Sequence, residues 1–339
     1  MQMTICVDAN PLIGVGHAVR TLALAQAWMR SGGMAHFYGS ISTSWIVDSI
    51  NESGATFTYC SKGQEDLDFD HLCRQPNTIL NSDKVNAYIN SQWFIFDGYR
   101  YSNDLISHVY DLGAYTLVFD DAGERVNCRA DVVLNQNCEE KYLPNFLQAQ
   151  VVLCGKEYAL LRDEITSSKA FVSNKSKHGK PKLLLTLGGG DNSELLTQTL
   201  LSVLRVVEEC HISIEVLLVP GVSKVPEVNS IFMDIVQLEN PHDIVNYYLQ
   251  ADMAVTSASS TCWELGYLGI PMLLLKTADN QSLVYKSLIT DRLAKPFSES
   301  SFKEMLNLAD IVQTSEKKTS FIDGMGADRV VLAMKNYQR

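Results

Sequence analysis

The chain has 339 residues, enough for two domains of about 150–170 residues each. Apolar residues make up 46% and charged residues 20%, a balance that excludes a disordered, collagen-like or disulfide-scaffold protein. With 28 basic against 39 acidic residues the net charge is −11, a field that repels nucleic acid and anionic membranes, and no basic patch reverses it. No run of about 18 apolar residues predicts a membrane span. The opening MQMTICVDANPLIGVGHAVR lacks the charged-then-apolar order of a signal peptide. Eight scattered cysteines with no CxxC pair read as reduced, mostly buried thiols. A cytoplasmic two-domain protein is expected; the oligomeric state has no signature here.

Short β-rich runs alternate with helical stretches along nearly the whole chain. Predicted strands are Thr4–Val7, Ala35–Tyr38, Thr56–Cys60, Trp93–Phe96, Tyr115–Phe119, Val132–Leu134 and Val151–Leu153. A second set comprises Lys182–Leu187, Ser213–Val219, Ile235–Leu238, Met253–Ser257 and Met272–Leu275. Continuous apolar runs such as LLLTL and MLLLL belong to parallel sheets covered on both faces. A helix is predicted over His17–Arg30, with Val19, Leu22, Ala25 and Met29 recurring at helical spacing. Strand–helix–strand repetition predicts an α/β fold of two Rossmann-like domains facing across a cleft. The Ser-, Lys- and Asn-rich stretch 166–180 (Thr166–Lys180) reads as the linker, dividing an N-terminal domain 1–165 from a C-terminal domain 181–339.

The first strand runs into Asp8-Ala9-Asn10-Pro11-Leu12-Ile13-Gly14-Val15-Gly16-His17-Ala18-Val19-Arg20. A dinucleotide fingerprint needs a third glycine where Val19 stands, so NAD is not expected. What remains is a loop bracketed by Gly14 and Gly16 that sets an imidazole at a helix N-terminus. The positive helix end disfavours the imidazolium, which would hold His17 neutral and ready to accept a proton. A capping or packing histidine is the plain alternative. Gly14, Gly16 and Arg20 are candidate substrate contacts of this loop.

A second loop follows strand Met253–Ser257: Ala258-Ser259-Ser260-Thr261-Cys262-Trp263-Glu264. Hydroxyls and free backbone N–H groups converging at a helix start suit a diphosphate, with Ser259, Ser260 and Thr261 as its contacts. Glu264 would reach past the phosphates to a ribose diol, although Thr261–Glu264 also satisfies a capping box. Asp279-Asn280-Gln281 follows a buried strand and should overhang the cleft. Gly188 and Gly189, after strand Lys182–Leu187, offer a further phosphate- or sugar-facing loop.

Other residues carry less. The run Glu65–Asp70 contains two D-x-D patterns of the kind that hold Mn²⁺ or Mg²⁺, but its polar flanks favour a solvated loop, and no metal site is assigned. Asp120-Asp121 fits either a cleft position or a helix start. His242 fits the edge of a uracil pocket or an exposed surface.

Nine motifs in order resemble the UDP-2,4-diacetamido-2,4,6-trideoxy-β-L-altropyranose hydrolases of pseudaminic acid synthesis. They are IGVGHAVRTLALA, FDGY (96–99), VFDD (118–121), LNQN (134–137), GKEYALLRDE (155–164), LTLGGGDN, SASSTCWELGYLGIP, ADNQ and IDGMGADRVV (322–331). The resemblance implies a type-B glycosyltransferase architecture, with His17 as general base and Tyr99 and Asn280 in the active site. It also implies that Glu264 and Ser259–Thr261 hold UDP, and it sets Arg162 near the cleft, paired with phosphate or with a neighbouring carboxylate. Gln281 joins these as a substrate contact. The expected activity is metal- and cofactor-free hydrolysis of a UDP-linked amino or deoxy sugar at its anomeric carbon. An inverting glycosyltransferase with the same donor site and a noncatalytic nucleotide-sugar-binding protein are the alternatives.

Overall fold

The computed structural model describes residues 1–11, 13–60, 93–123, 125, 127–137, 139, 149–172, 179–188, 191–219, 221, 223–311 and 320–339. The chain divides into two compact units. One comprises Met1–Asn10, His17–Arg162 and Met325–Arg339; the other Pro11–Gly16 and Asp163–Gly324.

Among the described residues the first unit is built on seven parallel strands. They are β1 (Gln2–Val7), β2 (Met34–Gly39), β3 (Thr56–Tyr59), β4 (Trp93–Asp97), β5 (Tyr115–Phe119), β6 (Ala130–Asn135) and β7 (Ala149–Cys154), in the order β3-β2-β1-β4-β5-β6-β7. The central strands are apolar on both faces: all five residues of β4 and all six of β6 are buried, as a doubly covered sheet requires. Helices α1 (Gly16–Arg30), α2 (Ser44–Glu52) and α3 (Asn103–Asp111) connect them, α3 starting where the Ser102 hydroxyl accepts the Leu105 N–H. Helix α1 buries a wider stripe than its spacing predicted. Leu22 and Ala25 are buried with Ala18, Arg20 and Trp28, whereas Val19 and Met29 stay half-exposed, because alanines allow close approach on several sides.

The second unit carries six parallel strands: β8 (Lys182–Thr186), β9 (Ile214–Val219), β10 (Met233–Gln237), β11 (Met253–Ser257), β12 (Met272–Leu275) and β13 (Lys295–Pro296). Their order is β10-β9-β8-β11-β12-β13. Its helices are α4 (Asp163–Val172), α5 (Ser193–Cys210), α6 (Ile244–Gln250), α7 (Thr261–Leu268), α8 (Ser282–Thr290) and α9 (Glu299–Ile311). Leu183, Leu185, Leu200, Val203, Val216, Val255, Leu273 and Phe302 form its core. The twelve predicted strands are all present, and β13, two exposed residues at the edge, is additional.

Two boundaries differ from expectation. Residues 166–172 of the expected linker lie inside α4, where Ile165 and Ser168, one helical turn apart, are buried; 173–178 lie outside the described residues. The C-terminal helix α10 (Gly326–Asn336) belongs to the first unit, not the second. Lys335 Nζ donates to Ser31 O (2.6 Å), and Arg339 grips the fully buried Asp131 with Nε (2.7 Å) and Nη2 (2.8 Å). The Arg339 guanidinium also lies over the Tyr110 ring, 4.2 Å from its centroid.

Both sheets have the same kind of break. After β1 the first sheet grows one way through β2 and β3, then restarts beside β1 with β4; the second does the same between β8 and β11. Loops at the carboxyl ends of such strand pairs part to opposite faces and leave a crevice, the usual ligand position in this architecture.

Candidate active site

The first unit's break places α1 beside the carboxyl end of β4, where Val7 pairs with Asp97. His17, the second residue of α1, sets its Nδ1 2.5 Å from Asp97 Oδ1. Two lone pairs at that separation would repel, so a proton lies between them. Asp97 is fully buried, yet the Arg20 guanidinium and His17 outweigh the cost of burial and hold its carboxyl well below the usual carboxylate range. The proton therefore belongs to Nδ1, and Nε2 is the ring's accepting nitrogen. A buried carboxylate 80 residues away in sequence, and not the helix end alone, thus sets the ring's tautomer.

Arg20, one turn along α1, is 5% exposed and spans two carboxylates. Nε and Nη2 donate to Asp97 Oδ2 and Oδ1 at 2.6 Å each, while Nη1 and Nη2 donate to Asp121 Oδ1 and Oδ2 at 2.8 Å each. Its Cζ lies 4.4 Å from the centroid of the Phe119 ring. The guanidinium pKa is raised: burial works against the charge, and Asp121 and Asp97 more than offset it. Arg20, expected to touch substrate, gives four of its five N–H groups to Asp97 and Asp121 and so orders the cavity that it also lines.

Asp121 is fixed in turn. Asn137 Nδ2 donates to its Oδ1 (2.6 Å), the Asn137 N–H donates to Asn135 Oδ1 (2.8 Å), and Asn135 Nδ2 donates to Asp120 O (2.5 Å). Asp120 accepts the Arg125 N–H on Oδ2 (3.1 Å), so the Asp120-Asp121 pair closes a strand end rather than opening a helix. Tyr99 stands on the loop after β4, 62% exposed, its ring edge-to-face with His17 at a centroid distance of 5.6 Å. A cavity of about 230 Å³ opens here, lined by His17, Asp97, Tyr99, Asn103, Asp121 and Arg125 among others.

Gly14 adopts φ +81°, a conformation that favours glycine, and Gly16 opens α1. Arg162 is buried at the close of the first unit's main segment.

The second unit's break has a different chemistry. Thr186 of β8 pairs with Thr256 of β11, so the loops that follow are neighbours. Gly188, at φ +91°, would set a Cβ 3.5 Å from Ser257 Oγ. The Ser257 hydroxyl donates to Ser259 Oγ (3.3 Å), and Ser259, Ser260 and Thr261 are half-exposed at the start of α7. Glu264 lies beneath them, 5% exposed, in the first turn. The expected capping box is not formed: Ser260 is the cap residue, its hydroxyl makes no cap bond, and Thr261 is already helical, which puts Glu264 one position too far along. Cys262 is buried and donates through Sγ to Ser257 O (3.3 Å); burial pushes its thiol up to about 12.

Asn280 is exposed in a short 3₁₀ turn, Asp279–Gln281, after β12. Gln281 closes the preceding loop, accepting the Thr277 N–H (2.9 Å) and donating to Thr277 Oγ1 (2.8 Å), so its amide is not the open substrate contact expected. His242 is exposed at a short 3₁₀ turn. Gly189 and the Glu65–Asp70 run lie outside the described residues. Among the described residues no group of three His, Cys, Asp or Glu could hold a metal ion, and no helix is long and apolar enough to cross a membrane.

No protein-family model matches the chain. The uncharacterized protein MJ1062 of Methanocaldococcus jannaschii is 25% identical over 296 residues, which cover 84% of this chain. The chain spans 57% of the length of that curated relative. Solved structures align along 99% of the chain. The UDP-GlcNAc 2-epimerase of Neisseria meningitidis bound to UDP-GlcNAc has a TM-score of 0.60 at 8% identity, with all of its own length covered. MurG of Acinetobacter baumannii gives 0.57 at 13%, also fully covered. The glycosyltransferase SnogD of Streptomyces nogalater gives 0.56 at 13%, with 96% covered. At such identities the likeness carries the fold: two Rossmann-like domains of the type-B glycosyltransferase architecture.

Proposed function

We propose that the protein is an enzyme that hydrolyses a UDP-linked sugar at its anomeric carbon, without metal or organic cofactor. The hydrogen bond from His17 Nδ1 to the buried Asp97 carries this reading, because it leaves Nε2 to take a proton at the carboxyl end of the central strands. Water would attack C1 while giving its proton to Nε2, and the C1–O bond to UDP would break with inversion. General-base help of this kind is worth about 10²–10⁴-fold. Charge developing on the departing diphosphate would be stabilised by the N–H groups and hydroxyls of Ser259, Ser260 and Thr261, with Gly188 letting the neighbouring backbone come close. Glu264 would accept from the ribose, Tyr99 would orient the water or the sugar, and Asn280 would donate to the sugar or diphosphate. Gly14 and Gly16 would let the backbone approach the ligand.

Aligned enzymes that act on UDP-sugars support the nucleotide, and the nine motifs support an amino or deoxy sugar destined for a pseudaminic-type acid or a surface polysaccharide. The net charge of −11 accords with a small-molecule substrate rather than a nucleic-acid partner, and the scattered cysteines accord with a cytoplasmic location. Incubation with a panel of UDP-sugars, following UDP and free sugar, tests the reading. Equal amounts of both without acceptor are expected. UDP release that needs an acceptor would make the protein a transferase, and binding without turnover would make it a carrier or sensor.

A further inference from the structure

We propose that Asp121, held by Asn137 and acting through Arg20, is a positioning residue that sets the proton affinity of His17. The inference rests on His17 being the base. The chain of contacts is continuous: Asn137 Nδ2 to Asp121 (2.6 Å), Asp121 to Arg20 through two bonds, Arg20 to Asp97 through two bonds, and Asp97 to His17 Nδ1. The members come from α1, from the ends of β4 and β5, and from the loop after β6, so one end of the sheet holds the whole chain.

Its charge is the informative feature. A guanidinium that met only Asp97 would cancel that carboxylate and leave His17 facing a neutral pair. Asp121 adds a second negative charge, so the largely buried cluster carries one net negative charge while the imidazole is neutral. Protonation of His17 brings the cluster to neutrality. A base has to take up a proton during the reaction, and this arrangement favours the form it then adopts. Arginine suits the bridging position because its planar fork serves two carboxylates at once, which an ammonium cannot. Arg20 Nη2 is also 3.1 Å from His17 Nδ1, so displacing the guanidinium disturbs both the charge and the orientation of the ring. The other charged or titratable groups facing this cavity are Asp120, Arg125, Tyr99 and Tyr101. Arg125 is occupied by the carbonyls of Gly98 and Tyr101, at 2.8 Å each.

The test follows the imidazole titration of His17 in the full-length protein by NMR, its signal being the one missing from His17→Gln. Asp121→Asn should move the midpoint down by about one pH unit, the order expected for losing one charge at this range in a partly screened site. The acid limb of kcat should move the same way and its plateau should fall about tenfold, with KM little changed. Asp48→Asn, an exposed change in α2, controls for net charge and should move neither. Asn137→Ala keeps every charge and covers the case in which Asp121→Asn does not fold; it should lower kcat about fivefold through a looser Asp121. An unmoved midpoint in folded Asp121→Asn, or full turnover in Asn137→Ala, overturns the proposal. An active His17→Gln would instead overturn the assignment of the base.

Discussion

The two units answer the same topology with opposite chemistry. At the first break the side chains are charged and interlocked: an imidazole, a guanidinium and two carboxylates, with Asp97 at 0% exposure. At the second they are hydroxyls and glycines at the surface, with one carboxylate, Glu264, just below. A buried charge network is costly unless every member is paired, and when paired it fixes geometry closely. A rim of hydroxyls and backbone N–H groups fixes less but binds anions at little desolvation cost. One crevice is equipped to move a proton and the other to hold a charged ligand.

The largest effect that would break this contrast is on His17. His17→Ala should lower kcat by about 10²–10⁴-fold while calorimetry gives an unchanged affinity for UDP. A fall in affinity equal to the fall in rate would erase the division between the units. Asp97→Asn comes next, with two readouts. Turnover should fall about 10²-fold as His17 loses its anchor, and stability should fall by about 1–3 kcal/mol because Arg20 loses its charge-assisted bonds to Asp97 while Asp121 still balances its charge. The pH dependence has a definite sign. The carboxyl of Asp97 is depressed from its ordinary value of 3.8, so its contribution is present above that value and lost as pH falls below it. Urea midpoints of the parent protein should therefore decline below about pH 4 more steeply than those of Asp97→Asn.

On the other side of the comparison, Glu264→Ala should weaken UDP binding by about 1–3 kcal/mol, read by calorimetry, with kcat at saturation nearly intact. The smallest effect concerns metal. Turnover in EDTA should stay within about twofold of that in Mg²⁺ or Mn²⁺, since the proposed leaving-group contacts are backbone and hydroxyl groups. Activity lost in EDTA and restored by Mn²⁺ would redirect attention to the Asp66–Asp70 run.

The strands could be read directly because a parallel sheet covered on both faces writes itself as unbroken apolar runs; β4 and β6 are buried at every position. Helix α4 has no clear periodic pattern to announce it: among its described side chains Ile165 and Ser168 are the buried ones. The return of α10 to the first unit has no local sign at all. In the site, the glycine bracket points to His17, while Asp97 and Asp121 meet α1 from 77 to 101 positions away and Asn137 meets Asp121, so no local pattern links them to it. A signal was nonetheless present in FDGY, VFDD and LNQN: three apolar strands running into Asp or Asn at their carboxyl ends. Polar residues that repeat at one end of successive buried strands share an edge of the sheet, and that was the available route to the network.

Helix α10 also bears on how the chain is made. Asp163–Gly324 is continuous in sequence, so during synthesis nearly all of the second unit emerges before the first has its last element. The first unit must then wait with Asp131 unclamped until Arg339 arrives 208 residues later. Contacts so distant in sequence form late and at high loop-closure cost. The nascent chain should therefore carry a nearly finished second unit while the first still lacks α10.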